Sequence, residues 1–352
     1  MDKTATRLIS GIPLFAGIEP AGLERVLRIF QPVAFAAGAH LVRQGQPADG
    51  AYIIEAGTAE VMTTLPGGGE AAVATLGPGS VLGEMALLES GTRSATVVSR
   101  SPVAGQFIER DAFRMLLAQH DSAAFTIQNR ITLTLCQRLR ELNAKIVTYD
   151  APENAAPAMA KQENEVAPPR RGQCSFDWRG FLPVLPLFRR HSPAEIDEFA
   201  GAVEVIELAR GHALFRQGDA SEACYVVVRG AVEISGNRNG RRHRIGILGP
   251  GRLCGTLALI EEQHHSMSAA ARENAVLLEI GKPAFTRLFK GEDRLAARFQ
   301  DAVNQELLQA LARTNNHLTR LISQARIRGG RQEKKQAEDL QRALATEDVR
   351  PS

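Results

Sequence analysis

The chain has 352 residues, 44% hydrophobic and 23% charged, with a formal net charge of +3; that balance belongs to a folded protein of two or three domains and excludes wholesale disorder. Neither half carries the one-sided basic surface of a nucleic-acid binder, and no apolar run approaches the roughly 18 residues that a membrane span needs. Cys136, Cys174, Cys224 and Cys254 are scattered, and the N-terminus MDKTATRLISGIPLF has no continuous apolar stretch, so a cytoplasmic protein with reduced thiols is expected rather than an exported, disulfide-framed or membrane-bound one.

Along the chain the first element is a helix over 22–30 (GLERVLRIF), opened by Pro20, a residue suited to the first helical turn. Short apolar runs such as Ala51–Ile54 and Ala71–Leu76 follow, separated by Gly38, Gly45, Gly50, Gly57, Gly67, Gly68, Gly69, Gly77, Gly79 and Gly83. Turn signals that frequent predict an antiparallel sandwich or barrel. A long helix closes the segment, because Ile131, Leu135, Leu139, Leu142 and Ile146 step along one face. That apolar face is to be covered by its own barrel, by a second chain or by a partner.

The same pattern then returns. IPLF at 12–15 is matched by LPLF at 185–188, LVRQG at 41–45 by LFRQG at 214–218, AYIIEAG at 51–57 by CYVVVRG at 224–230, and LGPG at 76–79 by LGPG at 248–251. One deletion near 64–72 keeps the copies in register, so the chain is a duplicated domain. The expected fold is mainly β with flanking helices, as two tandem jelly rolls. The expected boundaries are a first domain at 1–147, a flexible linker rich in Ala, Pro, Glu and Gln at 148–177, a second domain at 178–325, and a charged tail at 326–352. In the second copy Val303, Leu307, Leu311, Leu318 and Leu321 extend the closing stripe; each closing helix either packs back on its own domain or forms a homodimer contact.

Chemistry concentrates in 81–97, VLGEMALLESGTRSATV. Gly83 allows close backbone approach, and a short helix starting near Met85 would turn its N–H groups toward an anion. Arg93 offers a planar fork of donors suited to phosphate oxygens. Glu84, when ionised, only accepts hydrogen bonds, so it suits a hydroxyl. A carboxylate and a guanidinium nine residues apart across a turn can thus face a ligand that carries both a hydroxyl and an anion.

Gly83, Glu84, Met85, Ala86, Leu87, Arg93, Ser94 and Ala95, with Leu82 where Phe is usual, resemble the phosphate-binding cassette of the cyclic nucleotide-binding domain family, the sensory domain of catabolite activator protein type. Leu41, Val42, Gly45, Ala48, Tyr52, Ile53, Ile54 and Gly57 resemble its upstream signature. The resemblance implies that Glu84 holds the ribose 2′-hydroxyl while Arg93 and Ser94 hold the cyclic phosphate, with Gly83, Met85, Ala86 and Ala95 completing the ligand site. Cyclic AMP is the first choice over cyclic GMP, because the Arg-Ser-Ala run resembles bacterial members that take it. No metal is expected.

The second copy, GRLCGTLALIEEQHHSMSAAA, departs where the ligand would bind: Thr256 stands for Glu84, His265 for Arg93 and Met267 for Ala95. An imidazole has no bidentate fork and is mostly neutral near pH 7, so this cassette is expected to be degenerate. Cys254, His264 and His265 are taken as a buried small hydrophobe and loop histidines, not a metal or haem site. Arg238, Arg241, Arg242 and Arg244, with His243, form a solubilising loop or a patch for an acidic partner. Arg170-Arg171-Gly172-Gln173-Cys174 only faintly resembles a kinase-inhibitory segment.

The expectation is therefore a non-enzymatic cyclic nucleotide receptor that signals through an unidentified protein effector. No segment has the composition of a helix-turn-helix, so specific DNA binding is not expected. The alternatives are a regulatory subunit of an enzyme complex such as a kinase, and an interaction scaffold that has lost nucleotide binding.

Overall fold

The computed structural model describes residues 3–64, 70–149, 156–157, 169–172, 174–291 and 293–328. The chain divides into two compact units, Leu135–Leu321 and the chain on either side of it.

The first unit opens with α1 (Lys3–Ser10) and α2 (Pro20–Leu27). Pro20 starts α2 as the sequence predicts, but the helix ends at Leu27, because Phe30 already pairs with Ile108 as the first residue of β1 (Phe30–Phe35). There follow β2 (His40–Val42), β3 (Pro47–Ala48), β4 (Gly50–Ala56), β5 (Ala59–Thr64), β6 (Glu70–Leu76), β7 (Val81–Leu82), β8 (Gly91–Thr92), β9 (Thr96–Ser99) and β10 (Val103–Glu109). One antiparallel sheet runs β1-β10-β4-β7, a second β2-β9-β5-β6, and β3 pairs with β8. Alternate residues turn inward, as in the buried Val97 and Ser99 of β9. Leu41, Val42, Ile54, Ala59, Val61, Leu76, Leu82, Val97 and Val103 make the core. This is the jelly roll read from the turn spacing.

Two helices leave the barrel, α3 (Arg110–Ala118) and α4 (Ser122–Tyr149). Asp121 sets the start of α4: its Oδ1 accepts from the N–H groups of Ala123 and Ala124, a cap for donors with no intrahelical partner. Arg25 Nε donates to Asp121 Oδ2 at 2.5 Å. Burial pushes the Asp121 carboxyl up, but Arg25 and the two backbone donors outweigh it and hold the carboxyl below its ordinary value. The helix belongs to both units, since the boundary falls between Thr134 and Leu135.

The second unit repeats the plan. After β11 (Ala156–Pro157) and β12 (Arg170–Arg171) come α5 (Trp178–Phe181), α6 (Pro193–Gly201), β13 (Glu204–Leu208), β14 (Ala213–Phe215), β15 (Ala223–Arg229), β16 (Val232–Arg238), β17 (Arg241–Leu248), β18 (Leu253–Cys254), α7 (Thr256–Ile260), β19 (Ser268–Ala271), β20 (Ala275–Gly281), α8 (Lys282–Lys290) and α9 (Arg294–Arg328). Its sheets run β12-β13-β20-β15-β18 and β11-β17-β16-β19-β14. Apart from the added β11 and β12, these two orders match the two four-stranded sheets of the first barrel, while the β3–β8 pair has no counterpart among the described residues of the second. Ser192 and Glu195 form a reciprocal capping box at the start of α6.

Most of the expected linker, 148–177, and most of the tail, 326–352, lie outside the described residues. Within the described parts of the linker, Thr148 and Tyr149 end α4, β11 pairs with β17 and β12 pairs with β13. The stripes that prompted the homodimer reading are largely covered within one chain: Ile131, Leu135, Leu139, Leu142 and Ile146 on α4, and Val303, Leu307, Leu311 and Leu318 on α9, are buried, and Leu321 is half-buried.

Candidate functional site

The cassette of the first unit begins where β7 ends. Gly83 takes the left-handed backbone at φ +77 and caps a 3₁₀ turn over Glu84–Leu87. The turn is shorter than the expected helix, and Ala86 N–H already bonds Gly83 O at 2.9 Å, so it offers an anion fewer donors than an α-helix start. The chain then forms β8 against β3, which delivers Arg93 to the barrel wall. There the backbone is held on both sides: Arg93 N–H donates to Gln46 O at 2.8 Å, and Gly45 N–H donates to Arg93 O at 2.9 Å.

Arg93 is only 7% exposed and Glu84 5%. Such burial of a charge demands partners. The guanidinium finds them at the start of β4: Nη1 donates to Gly50 O and Nη2 to Asp49 Oδ1, both at 2.8 Å. Its carbon lies 5.7 Å from the ring centre of Tyr52, within reach of a cation–π attraction. Two of its N–H groups are thus engaged, of the five that a guanidinium carries. Beside it, Tyr52 has its hydroxyl pushed above the ordinary value, by burial first and by Asp49 second, against the opposing pull of Arg93.

Of the other expected site residues, Ala86 is buried, Met85 is half-buried, Ser94 is exposed, and Ala95 is half-buried against the barrel core. Asp49 and Gly50 were missed by the sequence reading. The signal for them was the Asp-Gly pair directly before the apolar run of β4.

The second cassette keeps the frame and loses the charge. Gly255 is again left-handed, at φ +84, and caps α7. His265 N–H donates to Asp219 O at 3.0 Å, and Gly218 N–H donates to His265 O at 2.8 Å, reproducing the bonds that hold Arg93. But His265 lies flat on Phe215, with ring centres 3.8 Å apart and planes 9° apart, and Phe215 stacks in turn on Tyr225. A Cβ built on Gly255 would meet Phe215 Cε1 at 3.4 Å, whereas one on Gly83 would meet Arg93 Nη1 at 2.3 Å. An aromatic stack therefore lies against the glycine that faces a guanidinium in the first copy. Thr256 and Met267 are buried as well. His264 is exposed, as expected of a loop histidine, but His265 is buried because Phe215 covers it. Burial holds its imidazole below the ordinary range, with Asp219 pulling up and Arg140 and His264 pushing down.

No group of three or more His, Cys, Asp or Glu among the described residues is placed to hold a metal. The expected basic loop is instead the end of the β16–β17 hairpin, with Arg238 closing β16 and Arg241, Arg242, His243 and Arg244 in β17; Arg238 donates to Thr148 O, Arg242 lies 3.7 Å from Glu233, His243 is buried and Arg244 is exposed. Arg171 contacts Glu204 at 3.2 Å and Glu279 at 2.8 Å. No described helix is long and apolar enough to cross a membrane.

Comparison with known proteins agrees with this geometry. The family model described as cyclic nucleotide-binding domain matches residues 32–120 and 205–292, together half of the chain. A cAMP-dependent protein kinase regulatory subunit of Blastocladiella emersonii is 27% identical over 276 residues, covering 78% of this chain and 56% of the relative. One from Mycosarcoma maydis is 28% identical over 291 residues, covering 78% and 46%. A CRP-like cAMP-activated global transcriptional regulator of Mycobacterium tuberculosis is 28% identical over 146 residues, covering 41% and 63%. The chain spans about half the length of the kinase-subunit relatives it matches.

Proposed function

Because the chain belongs to the cyclic nucleotide-binding domain family, we propose that it is a non-enzymatic receptor that takes one cyclic nucleotide, in its first domain. The observation that carries this is Arg93, a buried guanidinium held from behind by Gly50 and Asp49 and set against the bare backbone of Gly83. A cyclic phosphate brings one negative charge into such a site, and a pre-positioned fork meets it at little entropic cost. Glu84 takes the ribose hydroxyl, and Ser94 supplies a second donor to the phosphate. Cyclic AMP is the nucleotide favoured by the names of the relatives.

The effector is a protein, and the protein acts in the cytoplasm. A kinase-type regulatory subunit is the second reading, favoured because the kinase-subunit relatives align across both repeats. In that role the Arg170-Arg171 segment would first have to leave β13 and the carboxylates of Glu204 and Glu279. Co-purification from the native source, with and without cyclic AMP, separates the two readings. Retention of one partner that cyclic AMP releases supports the second. Displacement of a fluorescent cyclic AMP by unlabelled cyclic AMP and cyclic GMP tests the nucleotide itself, and no displaceable signal would refute the receptor.

A further inference from the structure

The second cassette has given up the groups that bind a nucleotide, yet its rim is not idle. The half of α4 that belongs to the second unit, from Leu135 on, lies against it. Cys136, Arg140, Asn143 and Val147 step by four, three and four residues, so they share one face of the helix. Arg140 donates through Nε, at 2.8 Å, and through Nη2 to Glu261 Oε2, and its Nη1 lies 3.4 Å from His264 O. Glu261 follows α7 directly, and its side chain is 4% exposed while that of Arg140 is 23% exposed. At the other end of the face, a Cβ built on Gly236 would meet Val147 Cγ2 at 2.3 Å and Met267 Sδ at 3.0 Å. Gly236 is bare so that Val147 can seat beside Met267, the residue that replaced Ala95.

We propose that the second cassette is a docking site for a helix, and that its occupant is the Cys136–Val147 face of the chain's own α4, held by a releasable clasp between Arg140 and Glu261. Two features make the contact releasable rather than a sealed core. Its anchor is an ion pair between a buried Glu261 and a partly exposed Arg140, whose attraction is offset by the desolvation that both charges recover on undocking. Asn143 Oδ1 is buried on the same face without a hydrogen-bond partner among the described residues, so docking carries a cost that undocking removes. Because α4 begins at Ser122, in the first unit, the docked segment is a continuation of the helix that closes the nucleotide-binding repeat. The clasp itself does not depend on nucleotide binding.

Cys136 is a built-in probe, since it is buried on the docked face, and burial followed by the neighbouring Glu261 pushes its thiol well above the ordinary range. Cys224 and Cys254, buried in the second barrel, report on the integrity of that barrel. The test is the rate at which N-ethylmaleimide modifies each cysteine in the full chain, read by peptide mass spectrometry. In Arg140→Ala and in Glu261→Gln, Cys136 is expected to react about tenfold faster, as expected when an anchoring pair is lost from a local opening. Cys224 and Cys254 should keep their rates, and Arg140→Lys should show a smaller rise. Calorimetry with cyclic AMP, run on the same variants, reports the first site separately, so failure of the clasp and failure of the receptor are read independently. An unchanged Cys136 rate in both variants overturns the proposal. So does a rise of all three rates together in both, which would make the contact part of the fold and not a clasp.

Discussion

A side-chain carbon on Gly83 would lie 2.3 Å from Nη1 of Arg93, so the guanidinium rests directly on bare backbone. Gly83 also holds φ +77, a conformation that costs other L-residues about 1–2 kcal/mol. Gly83→Ala therefore combines strain with displacement of Arg93 from Gly50 O. Cyclic AMP affinity should fall roughly tenfold or more, as a loss above about 1.4 kcal/mol implies. Gly255→Ala, at φ +84 and against Ala223 O at 3.2 Å, is the control: it should lower Tm and leave affinity unchanged. Equal affinity losses in the two variants would contradict this division of roles.

The two charged residues should not weigh equally. Arg93→Ala leaves a buried phosphate without its cation and should cost about 2–5 kcal/mol of binding. Glu84→Gln should cost less, because water can partly satisfy a neutral hydroxyl. Asp49→Asn should matter least: its side chain is 66% exposed, and exposed ion pairs contribute at most about 1 kcal/mol. Isothermal titration of the three variants checks the order.

The second cassette should resist simple repair. Thr256→Glu with His265→Arg restores both charged groups in name, yet Phe215 still stands 3.4 Å from the Cβ direction of Gly255. The double variant is expected to bind no second equivalent of cyclic AMP. Adding Phe215→Val, which reinstates the residue type found at Val42, is the change that should open the site. A second equivalent in the double variant alone would show that the aromatic stack is not the obstacle.

Much of this architecture was readable in advance, for identifiable reasons. Glycine spacing reported the short strands, and LVRQG and LFRQG lined up two barrels whose strand orders correspond. Gly83, Glu84 and Arg93 stood out because their order along one short loop is their order in space. The partners of Arg93 did not, since Asp49 and Gly50 lie at the start of β4, more than forty residues earlier, and are joined to it only by folding. Phe215 looked like one more core residue, and nothing local shows that it would cover His265. Periodicity identified the buried faces of α4 but not what buries them.

Acid should weaken the second unit. Burial holds the imidazoles of His191, His212 and His265 below their ordinary value, about 6.5 in water. The unfolded chain then binds more protons than the folded one, so stability rises with pH through this range. The contribution is intact above about 6.5 and is lost as pH falls through the lower folded values. Thermal melts at pH 7.5, 6.0 and 5.0 should show a falling Tm, with a shallower fall in His265→Phe. A Tm that rises on acidification would have the sign wrong.

The central claim is one cyclic nucleotide per chain, bound through Arg93. Calorimetric titration of the wild-type chain and of Arg93→Ala with cyclic AMP tests it most directly. Saturation at one equivalent is expected in the wild type, with loss of that binding in Arg93→Ala. Saturation at two equivalents, no binding at all, or an Arg93→Ala affinity within threefold of the wild type would contradict it.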